Sequence, residues 1–282
     1  MPKKSRRSAD DEPARQSRGK TKKQAEEKKE EPSRKPSIKR EVDLDSWIEK
    51  NIDEVVSRAG LDYLGISKES WIEILKDVLV ELYGSTSSYK SAEDIAKRLT
   101  RNSDKLFPVI ATRLAYILEA PSADQLEFIV TYVGDSVLEL APRIYHWVAK
   151  SGRKDLLDSL KYKWGIVWSK TRTPVLPVAC PRCGFNSLMP DLVCLICGAS
   201  VPEKEVKAFT NFHDRLAEAL LSMDCSELEK MLRYDYVLMN DLEVKPPSSN
   251  RLPIDIEVYL SESEKGLVKN IFQSRCSNEV TK

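Results

Sequence analysis

Apolar residues in the first part of this chain recur mostly three and four positions apart, the spacing that gathers them on one face of an α-helix. Trp47, Ile48, Ile52, Val55 and Val56 share such a face, with Asp45 placed to cap the helix. A second helix is expected from about Ser67 to Tyr83 on the stripe Trp71, Ile74, Leu75, Val78, Leu79 and Leu82, with Gly84 placed to end it. Ser91 followed by Asp94 opens a third helix through Leu99, and Asn102 to Asp104 cap a fourth that runs to about Leu118 with Pro108 near its first turns. Ser122 with Gln125 is a capping box for a fifth helix ending near Gly134, and a sixth covers Asp135 to Lys150 with Pro142 as a kink or break. Lys154 to Trp168 make a seventh. The pattern predicts an all-α domain over residues 43–172, and both a bundle and a helical-hairpin array satisfy it. No repeat at periods of about 30 to 45 residues goes beyond helix periodicity.

The pattern then changes. Residues 173–202 place Val175, Val178, Val193 and Val201 around two cysteine pairs and predict a small β-hairpin module. Beyond it, Glu203 to Met223 form a helix with Val206, Phe209, Phe212, Leu216, Leu220 and Leu221 inward, and Ser226 to Leu232 a shorter one. Pro246, Pro247, Ser248, Ser249 and Asn250 mark a loop. Ile254, Ile256 and Val258 alternate with Asp255 and Glu257 as a strand does, and Ser261 with Glu264 caps a last helix through Phe272. The fold class is therefore mainly α: a multi-helix domain, a small β-hairpin ribbon, and a C-terminal helical region over 203–282 with one short strand.

Composition adds a tail. Residues 1–40 contain no Phe, Trp or Tyr and are rich in Lys, Arg, Glu, Ser and Pro, so a disordered basic tail is expected over 1–42. These 40 residues hold 15 Lys/Arg against 7 Asp/Glu, which leaves 30 against 37 for the rest, so a net charge of +1 conceals a basic tail on an acidic body. The tail serves either as a solubilising linker or as a sequence-independent attraction to RNA, DNA or a ribonucleoprotein. No run of about 18 apolar residues occurs and no apolar segment follows the basic start, so neither a membrane span nor a secretory signal is expected and the location reads as cytoplasmic.

The segment VACPRCGFNSLMPDLVCLICGASV carries Cys180, Cys183, Cys194 and Cys197 as two C-x-x-C pairs, each followed by glycine, Gly184 and Gly198. A two-residue spacing lets both thiolates of a pair face one ion, and glycine permits the left-handed turn that aims backbone amides at sulfur. One structural Zn2+ is the expected cofactor, since four thiolates close the coordination shell that a catalytic zinc keeps open for water. Cys225 and Cys276 lie far apart on charged segments, so metal binding in a reducing compartment is preferred to a disulfide framework. The CPxCG and CxxCG pattern resembles the zinc ribbons common in archaeal and eukaryotic transcription, translation and RNA-processing proteins. That resemblance covers residues 178–200 and implies a zinc-bound knuckle pair. The body, rich in Lys, Glu and Ile, is similar in style to thermophilic archaeal proteins.

Residues 150–172 hold seven basic and two acidic side chains, and Tyr162, Trp164 and Trp168 alternate there with Lys161, Lys163, Lys170 and Arg172; Arg182 lies inside the first knuckle. Cations beside flat rings can pair phosphates and stack bases, which makes these five basic residues candidates for nucleic-acid contact. Against this, Trp164 and Trp168 are four apart and fit a core face equally well. Lys97, Arg98, Arg101 and Lys105 cluster at a helix junction, but the glycine-containing turn of a helix-turn-helix does not follow. Only two histidines exist, His146 and His213, and no nucleotide-binding, hydrolase or metalloprotease motif occurs, so no catalytic residue is nominated. The leading expectation is a non-enzymatic accessory factor binding RNA, DNA or a nucleoprotein complex. The alternatives are a protein-interaction adaptor, using a 41–149 segment with 11 Lys/Arg against 19 Asp/Glu, and a nucleic-acid-processing enzyme without a recognisable motif.

Overall fold

The structure is a computed structural model that describes residues 44–83, 91–248 and 250–276. The expected tail and Gly84 lie outside the described residues. Among the described residues, seven α-helices form the first part: α1 (Leu44–Arg58), α2 (Lys68–Tyr83), α3 (Ala92–Arg101), α4 (Ser103–Ile117), α5 (Ala123–Tyr132), α6 (Val137–Ser151) and α7 (Lys154–Thr171). Their stripes meet as the periodicity requires: α1 packs on α2 and α3, α2 on α4, α4 on α5, and α6 on α7. Ser91 caps α3 by accepting from the Asp94 amide, and Ser122 with Gln125 closes both bonds of the capping box on α5.

Two local expectations, at Asp45 and Pro142, are corrected. Asp45 lies inside the first turn of α1 and pairs with Lys76 at 2.8 Å instead of capping. Asn102 stands at the start of α4 as expected, its carbonyl accepting from Lys105 and Leu106, and it also closes α3, since its backbone and side-chain amides both donate to the Arg98 carbonyl. Pro142 neither breaks nor divides α6, because burial of Leu140, Ala141 and Ile144 around it outweighs the one hydrogen bond its ring removes. The break between α5 and α6 falls at Gly134, whose left-handed φ of 57° and close approach to Pro108 of α4 suit only glycine.

The chain continues through β1 (Val178–Ala179) and β2 (Asn186–Leu188), which pair antiparallel. It then forms α8 (Glu203–Phe209), α9 (Phe212–Ser222), α10 (Cys225–Arg233), β3 (Tyr236–Met239), β4 (Val244–Lys245), β5 (Ile256–Tyr259) and α11 (Glu262–Cys276). The expected helix from Glu203 to Met223 is two helices, broken where Asn211 takes a left-handed φ of 48°. The break turns Phe209 and Leu221 outward. In place of one strand there is an antiparallel sheet of order β4-β3-β5, with Tyr236 opposite Tyr259 and Leu238 opposite both Glu257 and Lys245. Strand β3 carries no alternation to reveal it, because Val237, Leu238 and Met239 are all buried.

The largest correction concerns Cys225 and Cys276, which form a disulfide with a Cα–Cα distance of 5.7 Å. A capping box of Asp224 and Glu227 starts α10 at Cys225, and α11 runs four residues past Phe272 to Cys276, so two packed helices bring their ends together. One continuous apolar core joins the helical part, the ribbon and the C-terminal region. Among the described residues no helix is long and apolar enough to cross a membrane.

Candidate metal centre

The ribbon is built from one turn used twice. Gly184, at φ 73°, donates its amide to the Cys180 carbonyl at 2.8 Å, and Gly198, at φ 68°, donates to the Cys194 carbonyl at 3.0 Å. Each turn folds its second cysteine back beside its first. Isolated bridges of Leu188 with Cys194 and Val193 with Ser200 hold the second knuckle against the hairpin that carries the first. Leu192 closes the connection in a left-handed conformation, with its amide on the Met189 carbonyl and its carbonyl accepting from Val201.

The four sulfur atoms lie within 4.8 Å of one another, with Cys180 to Cys197 at 3.8 Å and Cys183 to Cys194 at 3.6 Å. A tetrahedral ion with metal–sulfur bonds of about 2.3 Å separates its ligand atoms by about 3.8 Å, whereas a disulfide needs about 2.05 Å. The cluster thus has the size of a metal shell. Cys180, Cys183 and Cys194 are buried and Cys197 is partly exposed. Backbone amides of Arg182, Ile196 and Cys197 point at sulfur at 3.4 Å.

The electrostatics agree with the geometry. Burial pushes the Cys180 thiol up to about 11, and hydrogen bonding to Cys194, with burial, pushes Cys183 higher still. Cys194 accepts from Cys183 and, at 3.1 Å, from the Ser187 hydroxyl, which holds it down at about 4 against its own burial. Four thiolates this close repel one another, so a bound cation is what would let all four ionise together. Ser187 was not legible as a participant, since a serine in the spacer between two cysteine pairs reads as a turn residue.

The ribbon is held between helices α6 and α7 and the turn that joins β3 to β4. Phe185 meets Tyr145 of α6 edge-on with ring centroids 5.7 Å apart, and the Trp164 indole donates to the Asn186 carbonyl at 3.3 Å. On the other side the Asn186 amide donates to the Asp241 carboxylate, and the Asp241 backbone amide donates to the Leu176 carbonyl. Four cysteines in this arrangement can hold one metal ion, in keeping with a zinc-ribbon-like module. No protein-family model, curated protein or solved structure matches the chain.

The basic candidates do not all share a surface. Lys161 and Lys170 line one groove on α7 together with Tyr162. The Lys161 ammonium also sits over the first knuckle, 2.9 Å from where a Cβ on Gly184 would lie, and 3.9 Å from Asp158. Arg172 follows at the exposed end of α7, and among the described residues no carboxylate pairs with it or with Lys170. Lys163 points elsewhere, donating to the Thr131 carbonyl of α5, and its partial burial lowers its pKa. Arg182 is held by Glu205 at 2.8 Å. Trp164 and Trp168 are buried against each other with centroids 5.4 Å apart, so the core reading applies to both, while Tyr162 remains 71% exposed.

Proposed function

We propose that this chain is a non-enzymatic accessory factor in which Cys180, Cys183, Cys194 and Cys197 hold one structural zinc ion, and the α7 face beside them binds RNA, DNA or a nucleoprotein complex. The observation that carries the reading is the docking of a four-sulfur cluster onto a helix that presents Lys161 and Lys170 beside a solvent-facing tyrosine, with Arg172 at its exposed end. All-thiolate tetrahedral coordination favours zinc and leaves no position for substrate or water. The metal's role is then to fix the ribbon against α6 and α7, so that the cations of α7 keep a defined geometry. Lys163 and Arg182, already engaged, contribute to the local field rather than to direct contact.

Metal analysis of protein purified without chelator is expected to give about one zinc per chain. Retention on nucleic acid should fall with salt, each phosphate contact adding about −0.9 for duplex DNA or −0.7 for single strands to the slope of log affinity against log salt. Exchanging Lys161, Lys170 and Arg172 for Glu should make that slope shallower, whereas equal exchange on α1 and α2 should not. Folded, metal-loaded protein that binds no nucleic acid at low salt would sink the reading. A protein partner is the second reading, favoured by exposed Val80 and Tyr116 on a groove between α2 and α4 that Asp77, Glu81 and Asp135 border. Capture of a basic partner that survives deletion of the α7 charges would favour it.

A further inference from the structure

We infer that the groove between α7 and the returning segment 173–177 takes unpaired bases of a single-stranded nucleic acid, which assigns the proposed binding surface to single strands rather than duplex. The inference rests on the nucleic-acid reading above and narrows it. Helix α7 buries one row, Leu156, Leu160, Trp164, Val167 and Trp168, in the core. A second row, Tyr162, Gly165 and Ile166, lies on its outer side at the i, i+3, i+4 spacing, where a solvated helix normally carries polar residues. With Leu176 opposite and Ser169 one turn further on, this row lines an open groove of about 450 Å³ that is mainly apolar and carries no carboxylate. Lys161 and Lys170 stand at its two ends, nine residues and therefore about 13 Å apart along the helix.

Gly165 supplies a second, independent sign. A glycine in the middle of an 18-residue helix weakens it, yet a Cβ there would meet only Leu176, at an ordinary 3.6 Å. Packing therefore does not require glycine, and its effect is to keep the groove open. Nucleobases need a flat ring and an apolar wall, and their phosphates need cations on either side. Tyr162 with Ile166 and Leu176 provide the first, and Lys161 with Lys170 the second. A duplex keeps its bases stacked inside and can use only the cations.

Fluorescence anisotropy with labelled 12-mers of oligo-dT, oligo-U and a mixed-sequence DNA duplex tests the assignment on the full chain. The single strands are expected to bind at least about tenfold tighter than the duplex at equal salt, the tighter of the two naming the preferred sugar. Tyr162→Ala and Gly165→Leu should each lower single-strand affinity about tenfold and leave duplex affinity and the salt slope unchanged, while Tyr162→Phe should bind as wild type. Circular dichroism and metal content report whether the variants fold, and leucine at position 165 favours the helix. Equal binding of all three probes with both variants neutral overturns the groove assignment and leaves the nucleic-acid reading standing. No binding of any probe overturns both. Saturable binding of a synthetic Glu/Leu amphipathic peptide that Gly165→Leu abolishes, without effect on the oligonucleotides, gives the groove to a protein partner instead.

Discussion

Asp255 has no exposed surface and carries three bonds: from the Asn240 amide at 2.9 Å, from the Leu252 backbone at 2.7 Å, and an ion pair with Lys245 at 3.1 Å. Removing one member of a buried set leaves the others desolvated and unpaired, so Asp255→Ala should cost about 3 kcal/mol in urea unfolding, well above a surface ion-pair deletion such as Lys97→Ala. Glu264 behaves as a pH sensor of stability. Burial opposes its charge, but hydrogen bonds from Ser261 and the Lys207 ammonium at 2.9 Å prevail and hold its pKa below the ordinary 4.5. A depressed folded-state pKa stabilises the fold above the unfolded value, and that contribution disappears as pH falls through the folded value. Glu264→Gln should therefore lower the melting temperature at pH 7 and reduce the loss of stability between about pH 5 and pH 3. At the candidate metal centre, Cys194→Ser should abolish metal binding as measured by elemental analysis. It removes the sulfur that collects the most hydrogen bonds, from Ser187 and the amides of Ile196 and Cys197.

At the scale of elements, α7 holds two opposed faces in tension. Its inner face packs on α6 and the ribbon, and Gly165 opens the outer one at a cost in helix stability. Gly165→Ala should raise stability by about 0.5–1 kcal/mol in thermal melts, since the added methyl reaches only van der Waals distance of Leu176. Stripes and caps make α2, α3, α5 and α7 legible in the sequence, because each has an uninterrupted apolar face and several carry a polar residue at the N-terminus. The α8–α9 break is not legible there. Phe209 and Phe212 fit one continuous stripe, and only the left-handed Asn211 between them separates a buried ring from an exposed one. Strand β4 is two residues long and exists only because β3 lies beside it.

The described residues share one core, and this changes what metal removal should do. Phe185, Leu188 and Ile196 of the ribbon belong to the same apolar cluster as α6, α7 and the C-terminal sheet. Asn186 and Asp241 tie the ribbon to that sheet. Chelation is expected to lower the melting temperature and change the near-ultraviolet signal of Trp164 and Trp168, while most far-ultraviolet helix signal persists in α1–α5. The disulfide acts at the same scale. Cys225 and Cys276, 51 positions apart, close a loop that contains the whole β4-β3-β5 sheet. Loop-closure entropy assigns a crosslink of this span about 4 kcal/mol, so Cys225→Ser, or reduction with a non-chelating phosphine, should lower the melting point without releasing the metal.

The mainly helical class, the faces of the helices, and the four cysteines that gather at one point all follow from residue order. These are local properties: helical stripes repeat every three or four residues, and a C-x-x-C-G knuckle is complete within five. Tertiary structure alone decided which contacts join distant segments. It paired Cys225 with Cys276 across 51 positions, placed Ser187 on Cys194, buried Trp164 and Trp168 while leaving Tyr162 in solvent, and bound Lys163 and Arg182 to partners on other elements. The physical reason is that a residue's spacing states which neighbours along the chain it can face. What lies opposite depends on how the helices and ribbon pack into one core.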